Sequence, residues 1–171
     1  MEPTVVVVMG VSGSGKTTVG QLIADRLGAV FEEGDDYHPP ENVRKMRAGI
    51  PLDDADRAPW LDRLSRAIDG WLARDRKSVL ACSALKDTYR QQLGAGRKGV
   101  VLVFLRGSPE VVGARLEARR GHYMPAGLLQ SQFAALEEPA DALVADVEGT
   151  PEEIADGIVA RITALQPAAA P

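Results

Sequence analysis

Reactive and sensing side chains are scarce in this sequence: 171 residues include one cysteine, Cys82, two histidines, His38 and His122, and one asparagine, Asn42. A single thiol excludes an internal disulfide and fits a reducing compartment. Neither histidine has metal-ligand spacing with Cys82 or a glutamate, so no zinc site is expected. Aromatics make up only 5% of the chain, and long apolar runs are missing. The first such run, Val5 to Met9, is far too short to cross a membrane, and no basic leader pattern appears. Positive charge is not in excess either. A net charge of −4 argues against a general polyanion-binding surface. The expectation is a cytoplasmic protein with neither a membrane nor a nucleic-acid partner.

Glycine is plentiful, with 17 residues, and three of them punctuate Gly10-Val11-Ser12-Gly13-Ser14-Gly15-Lys16-Thr17. The pattern G-x-x-x-x-G-K-[ST] is that of a phosphate-cradling loop. Ahead of it Val5-Val6-Val7-Val8 suits a strand buried on both faces. Behind it Val19, Leu22, Ile23 and Leu27 keep helical spacing as far as Gly28, a natural helix end. Glycines at 10, 13 and 15 allow positive φ, so successive N–H groups turn inward on a phosphate, and the helix dipole adds to them. Lys16 would reach the β- and γ-phosphates, and the Thr17 hydroxyl would hold Mg²⁺. A nucleoside-triphosphate site is expected here.

Strand-like runs recur at residues 5–9, 29–31, 78–82, 100–105 and 142–147, with helical patterns between them. Such alternation predicts one α/β domain, a parallel sheet with helices on both faces. Residues 38–76 hold two helical segments, the first opened by Pro40 and the second striped by Trp60, Leu61, Leu64, Ile68, Trp71 and Leu72. This pair is expected to form a substrate lobe, with both tryptophans in the core. Ser108-Pro109 and Thr150-Pro151-Glu152-Glu153 each open a further helix. The tail, residues 166–171, has nothing to bury and is expected to fray.

Four clusters besides the glycine loop carry candidate chemistry. Gly34-Asp35-Asp36-Tyr37-His38 follows the second strand, where a carboxylate would face the reaction centre of an open α/β sheet. A carboxylate there could orient an acceptor hydroxyl and take its proton; Asp35 is the first choice and Asp36 the second. Asp53, Asp54 and Asp56 precede a helix and read as caps, whereas Arg57 fits either a salt bridge or a fork for a carboxylate substrate. Ser83 is a candidate substrate contact, and Lys86 and Arg90, four apart, are expected to share a helical face. Arg115 and Arg119 share another, ahead of Arg120-Gly121-His122-Tyr123-Met124-Pro125, which reads as a short lid over residues 119–128.

Taken together, these stretches resemble the gluconokinases, small P-loop kinases that phosphorylate D-gluconate. The resemblance rests on Met9-Gly10 through Thr17, Gly34-Asp35 with His38-Pro39, Asn42-Val43-Arg44-Lys45-Met46 and Gly49-Ile50-Pro51-Leu52. It continues through Asp56-Arg57, Pro59-Trp60-Leu61, Cys82-Ser83-Ala84-Leu85-Lys86, Tyr89-Arg90, His122-Tyr123-Met124-Pro125 and Ser131-Gln132-Phe133. It implies a three-layer α/β/α sandwich like shikimate kinase, with a five-stranded parallel sheet in the order 2-3-1-4-5. It also implies ATP and Mg²⁺, transfer to the C6 hydroxyl to give 6-phosphogluconate, and a homodimer. Carried over, Gly13, Ser14, Gly15, Lys16, Thr17, Thr18 and Arg115 would bind nucleotide, and Arg119 would act from the lid. Asp35 would sit at the acceptor hydroxyl, with His38, Arg57, Ser83, Lys86, Arg90 and His122 around the sugar acid. Two stretches depart from the family pattern: Glu33 and Asp36 flank Gly34-Asp35, and residues 141–147 lack the usual acidic pair.

Other readings are a shikimate-type or other small-metabolite kinase, a GTP switch, and a nucleotide-binding module without turnover. The switch would want N-K-x-D, and the one asparagine is followed by Val43.

Overall fold

The computed structural model describes residues 3–119 and 126–165. Its centre is β1 (Val5–Met9), every residue of which is buried. A strand can be apolar on both faces only if both are covered. Val5, Val7 and Met9 pack with Trp60, Leu61, Leu64, Ile68 and Trp71 of α3 (Asp54–Ala73). Val6 and Val8 pack with α1 (Lys16–Leu27) and α7 (Pro151–Ala164). The other strands are β2 (Val30–Glu33), β3 (Ser78–Ala81), β4 (Val100–Arg106) and β5 (Leu143–Asp146). All pair in parallel, in the order β2-β3-β1-β4-β5. The result is the expected α/β/α arrangement and strand order.

Register matters for the site. Val5 pairs with both Ser78 and Val100, and Val30 with Ser78, so β1, β2, β3 and β4 start level and their carboxyl ends meet along one edge. The remaining helices are α2 (Pro40–Arg47), α4 (Asp87–Gln92), α5 (Pro109–Ala118) and α6 (Ala126–Ala135). Gly28 closes α1 in the left-handed conformation at φ 62°, and Thr150 with Glu153 forms a capping box on α7. Asp53 and Asp56 form a second box on α3, so both are caps as read from the sequence.

Three details differ from the sequence reading. Strand β2 continues to Glu33, because its acids are held: Arg76 reaches Glu32 at 2.6 Å and Thr17 reaches Glu33 at 2.6 Å. Helix α6, whose weakly patterned sequence carries no helix signal, begins within the last residues read as lid. Lys86 stands at the N-cap of α4 with extended backbone, one residue before the helix. It therefore does not share a helical face with Arg90, contrary to expectation. His122, Arg120 and most of the lid segment, like the tail at residues 166–171, lie outside the described residues.

Candidate active site

The glycine loop joins β1 to α1 with Gly10, Gly13 and Gly15 at φ 155°, 80° and 96°, the left-handed backbone that glycine permits. At Gly13 a neighbouring side chain also contributes. A Cβ there would lie 2.6 Å from the Leu116 side chain of α5, which packs on the loop and would have to shift. Lys16 Nζ donates to the Val11 carbonyl at 3.0 Å. Burial lowers the Lys16 pKa from its ordinary value, and the neighbouring Asp35, Cys82 and Glu33 oppose that shift. The Ser14 hydroxyl is buried with no hydrogen-bond partner among the described residues. Such an orphan in a phosphate loop suits a site built around a ligand.

Helix α6 grips the same loop. Ser12 N–H donates to Gln132 Oε1 at 2.6 Å, and Gln132 Nε2 donates to Ser12 Oγ at 2.9 Å.

Two cavities meet at Lys16. One, of about 420 Å³, is lined by Gly13, Gly15, Lys16, Thr17, Thr18 and Arg119. The other, of about 270 Å³, has Lys16, Glu33, Asp35, His38, Arg57 and Ser83 among its polar lining. A third of about 540 Å³ runs between them past Thr17, Asp35 and Arg119. Of the two adjacent aspartates, Asp35 lines the second cavity and Asp36 does not.

Asp35 is carried on a 3-10 turn, Gly34–Tyr37, at the end of β2. A Cβ on Gly34 would fall 2.4 Å from the Ala81 carbonyl, so glycine alone lets the turn press against β3. Trp60 Nε1 donates to the Gly34 carbonyl at 2.8 Å, and its ring stacks on His38 with centroids 4.3 Å apart. Trp60 is thus in the core, as expected, and also supports the turn. His38 Nε2 lies 3.8 Å from Asp35 Oδ1. Burial lowers the His38 pKa, Asp35 opposes the shift, and Arg57 adds to it.

Arg57 lies over the Tyr89 ring at 5.8 Å, and its guanidinium donates to the Tyr89 hydroxyl at 3.5 Å. The Tyr89 hydroxyl donates in turn to Asp54, which also receives Lys86 Nζ at 2.9 and 3.0 Å. Asp54 is therefore a tie between α3 and the loop after β3 rather than a cap alone. The hydrogen bond to Asp54 raises the Lys86 pKa, and burial followed by that carboxylate raises Tyr89.

The expected site residues fall into two groups. Gly13, Ser14, Gly15, Lys16, Thr17, Thr18, Asp35, His38, Arg57, Ser83 and Arg119 gather on the loop or its cavities. Arg90, Arg115 and Lys86 do not line them. Arg90 is buried, with its guanidinium on the Ala84 and Leu85 carbonyls at 3.0 Å each, bracing a loop in which Ala84 has φ 43°. Arg115 donates to the Val147 carbonyl. Burial pushes the Cys82 thiol up to about 12, which fits a structural residue.

Sequence reasoning missed four participants, namely Glu33, Asn42, Tyr89 and Gln132. Asn42 had a signal, standing four residues after His38 at helical spacing. Gln132 had none in spacing, since its partner is 120 residues away.

A glycine loop between β1 and α1, at the centre of a parallel sheet with this strand order, with a carboxylate and an arginine across from its lysine, defines a P-loop kinase. The family model described as shikimate kinase matches residues 12–163. A gluconokinase of Gluconobacter oxydans (strain 621H) is 50% identical over 145 residues, covering 82% of this chain and 79% of that one. A thermosensitive gluconokinase of Escherichia coli (strain K12) is 47% identical over 133 residues, covering 78% and 71%. The crystal structure of a gluconokinase from Sinorhizobium meliloti 1021 superposes with a TM-score of 0.85 at 46% identity, covering 95% and 93%. The chain belongs to the gluconokinase family.

Proposed function

We propose that this protein transfers the γ-phosphoryl group of ATP to the C6 hydroxyl of D-gluconate, giving 6-phosphogluconate and ADP. The observation that carries the reading is the meeting of two cavities at Lys16, one walled by the phosphate loop and one by Asp35, His38, Arg57 and Ser83. A sugar acid is a carboxylate attached to a row of hydroxyls. Arg57 supplies the fork for the first, and Asp35, His38 and Ser83 supply partners for the second.

In the transfer, the bond from the γ-phosphorus to the bridging oxygen of ADP breaks as a bond to the C6 oxygen forms. The hydroxyl proton passes to the Asp35 carboxylate. Lys16 and Arg119, both lining the phosphate cavity, neutralise charge on the transferring group. Arg115, one turn before the C-cap residue Arg119, holds α5 to the segment after β5 through the Val147 carbonyl and supports the phosphate-cavity wall from behind. Lys86 and Arg90 act behind the cavity wall, through Asp54 and through the loop after β3.

The donor set at the loop fits Mg²⁺. Thr17 Oγ1 and Glu33 Oε2, 2.6 Å apart, are hard oxygen donors beside the phosphate cavity, and they would hold the ion. When bound, Mg²⁺ supplies charge neutralisation on the phosphates. Among the described residues no helix is long and apolar enough to cross a membrane. A cytoplasmic homodimer is proposed from the family resemblance, and sedimentation of the purified protein checks the dimer.

The test is ADP release with ATP and Mg²⁺, comparing D-gluconate, shikimate, AMP and no acceptor. Release with gluconate alone is expected. Release with another acceptor would move the substrate, and silence throughout would overturn the kinase.

A further inference from the structure

Asp35 gains no direct hydrogen bond from His38, because 3.8 Å between Nε2 and Oδ1 is too long for one. That gap is, however, wide enough for a hydroxyl oxygen to touch both groups. What the hydroxyl meets then depends on which ring nitrogen of His38 carries the proton, and three groups around the ring decide it.

Asn42 Nδ2 lies 2.7 Å from the Asp56 carbonyl oxygen and 3.1 Å from His38 Nδ1. The carbonyl can only accept, so the amide must present its NH₂ group there; turned over, it would set oxygen against oxygen. The two N–H bonds of that group then serve the two neighbours, one the Asp56 carbonyl and the other His38 Nδ1. Nδ1 is therefore an acceptor, and the proton of the neutral ring sits on Nε2. Asn42 is 2% exposed and His38 9%, so water does not compete for these bonds. The stacked Trp60 holds the ring plane. The charged groups facing His38 are Asp35 from the 3-10 turn and Arg57 from α3, and burial with Arg57 favours the neutral ring against Asp35.

We infer that Asn42 is a positioning residue that locks His38 as an Nε2–H donor, so that His38 and Asp35 together orient the acceptor hydroxyl. The inference rests on the proposed kinase reading and deepens it. A hydroxyl has one proton and two lone pairs. Donating to Asp35 and accepting from His38 uses the proton and one pair, leaving the second pair to attack phosphorus. With the opposite tautomer, Nε2 would compete with Asp35 for the hydroxyl proton and turn the lone pair away. His38 thus holds the alcohol without taking its proton, and Asp35 remains the proton acceptor.

The chain has only two histidines, so the ring nitrogens are separable by ¹⁵N NMR of histidine-labelled protein, assigned with His38→Gln. This readout needs no substrate. The expected spectrum without added ligand shows His38 with a protonated Nε2 and an unprotonated Nδ1 at pH 7.5, and Asn42→Ala mixes the two forms. A protonated Nδ1 in the wild-type protein overturns the inference even if Asn42→Ala fails to fold. So does an unmixed spectrum in a folded Asn42→Ala.

Kinetics supplies the second arm. His38→Gln places an N–H near the Nε2 position, and His38→Asn reaches only to the Nδ1 position. With gluconate, kcat is expected to stay within about tenfold for the first and fall roughly 10–100-fold for the second, with KM for ATP unchanged in both. Equal losses in the two variants would make His38 a packing partner of Trp60 and overturn the role. If gluconate is no substrate, the kinase reading fails while the NMR result still stands or falls alone.

Discussion

Among the described residues the Lys16 ammonium makes one hydrogen bond, to the Val11 carbonyl, at the meeting of two cavities. Burial already disfavours its charge, and the carboxylates of Asp35 and Glu33 offset that penalty. Lys16→Met should therefore leave the melting temperature within a few degrees while kcat falls by about 10²–10³, the usual cost of one electrostatic contact to a developing charge. Activity within tenfold of wild type would remove Lys16 from the phosphate role. Arg57 was open between a salt bridge and a substrate fork in the sequence. Its partner is the Tyr89 hydroxyl, and it lines the cavity that also holds Asp35, His38 and Ser83, which favours the fork. Arg57→Ala is expected to raise KM for gluconate roughly 10–100-fold and leave KM for ATP unchanged, as steady-state titration of each substrate will show. What the sequence could not show at this scale is equally specific. Lys86 and Arg90 have the spacing of a shared face, but the backbone turns at Ala84 and the helix begins only at Asp87. One cation goes to Asp54 and the other to two carbonyls. Long-range pairing decides such destinations, and local spacing does not carry it.

At the scale of elements, what was legible was whatever repeats or has turn chemistry. β1 announced itself by an unbroken β-branched run, α3 by its apolar stripe and α7 by its capping box, and all three stand where their patterns put them. The end of β2 and the whole of α6 were not legible, because Glu32 and Glu33 are charged strand residues held by distant partners and α6 has no clear apolar face. Helix α3 connects fold to function most directly. Its middle packs under the sheet through Leu64 and Ile68, both 0% exposed, and its first turns carry Arg57 and Trp60 to the site. Leu64→Ala should cost about 2–5 kcal/mol in denaturant unfolding, a cavity effect at a fully buried position. Arg57 and Trp60 lie one turn and more away, so the folded fraction should keep its KM for gluconate. A loss below 1 kcal/mol would mean that the core collapses around the deletion and that α3 is not anchored there.

Across the whole molecule, the site lies over the central strand, where crossovers leave to opposite sides of the sheet. The wall carrying Asp35, His38 and Arg57 comes from β2, its 3-10 turn and α3. The opposite wall comes from α5 and α6, with Leu116 lying on Gly13 and Gln132 fastened to Ser12. The two cavities share Lys16, and Leu128, Ser131 and Gln132 of α6 also reach into the one lined by Asp35, His38 and Arg57. A nucleotide and a sugar acid bound together would therefore touch both walls and each other's surroundings. Each ligand at 100 times its Kd should add about 2.7 kcal/mol to unfolding free energy. For a domain of this size that corresponds to roughly 5–11 °C in melting temperature. With a non-hydrolysable ATP analogue, Mg²⁺ and gluconate combined, the rise should exceed the sum of the separate shifts, because each ligand helps order a wall the other uses. Additive shifts would mean that the cavities act independently, and that the bridge through Lys16 and α6 couples nothing.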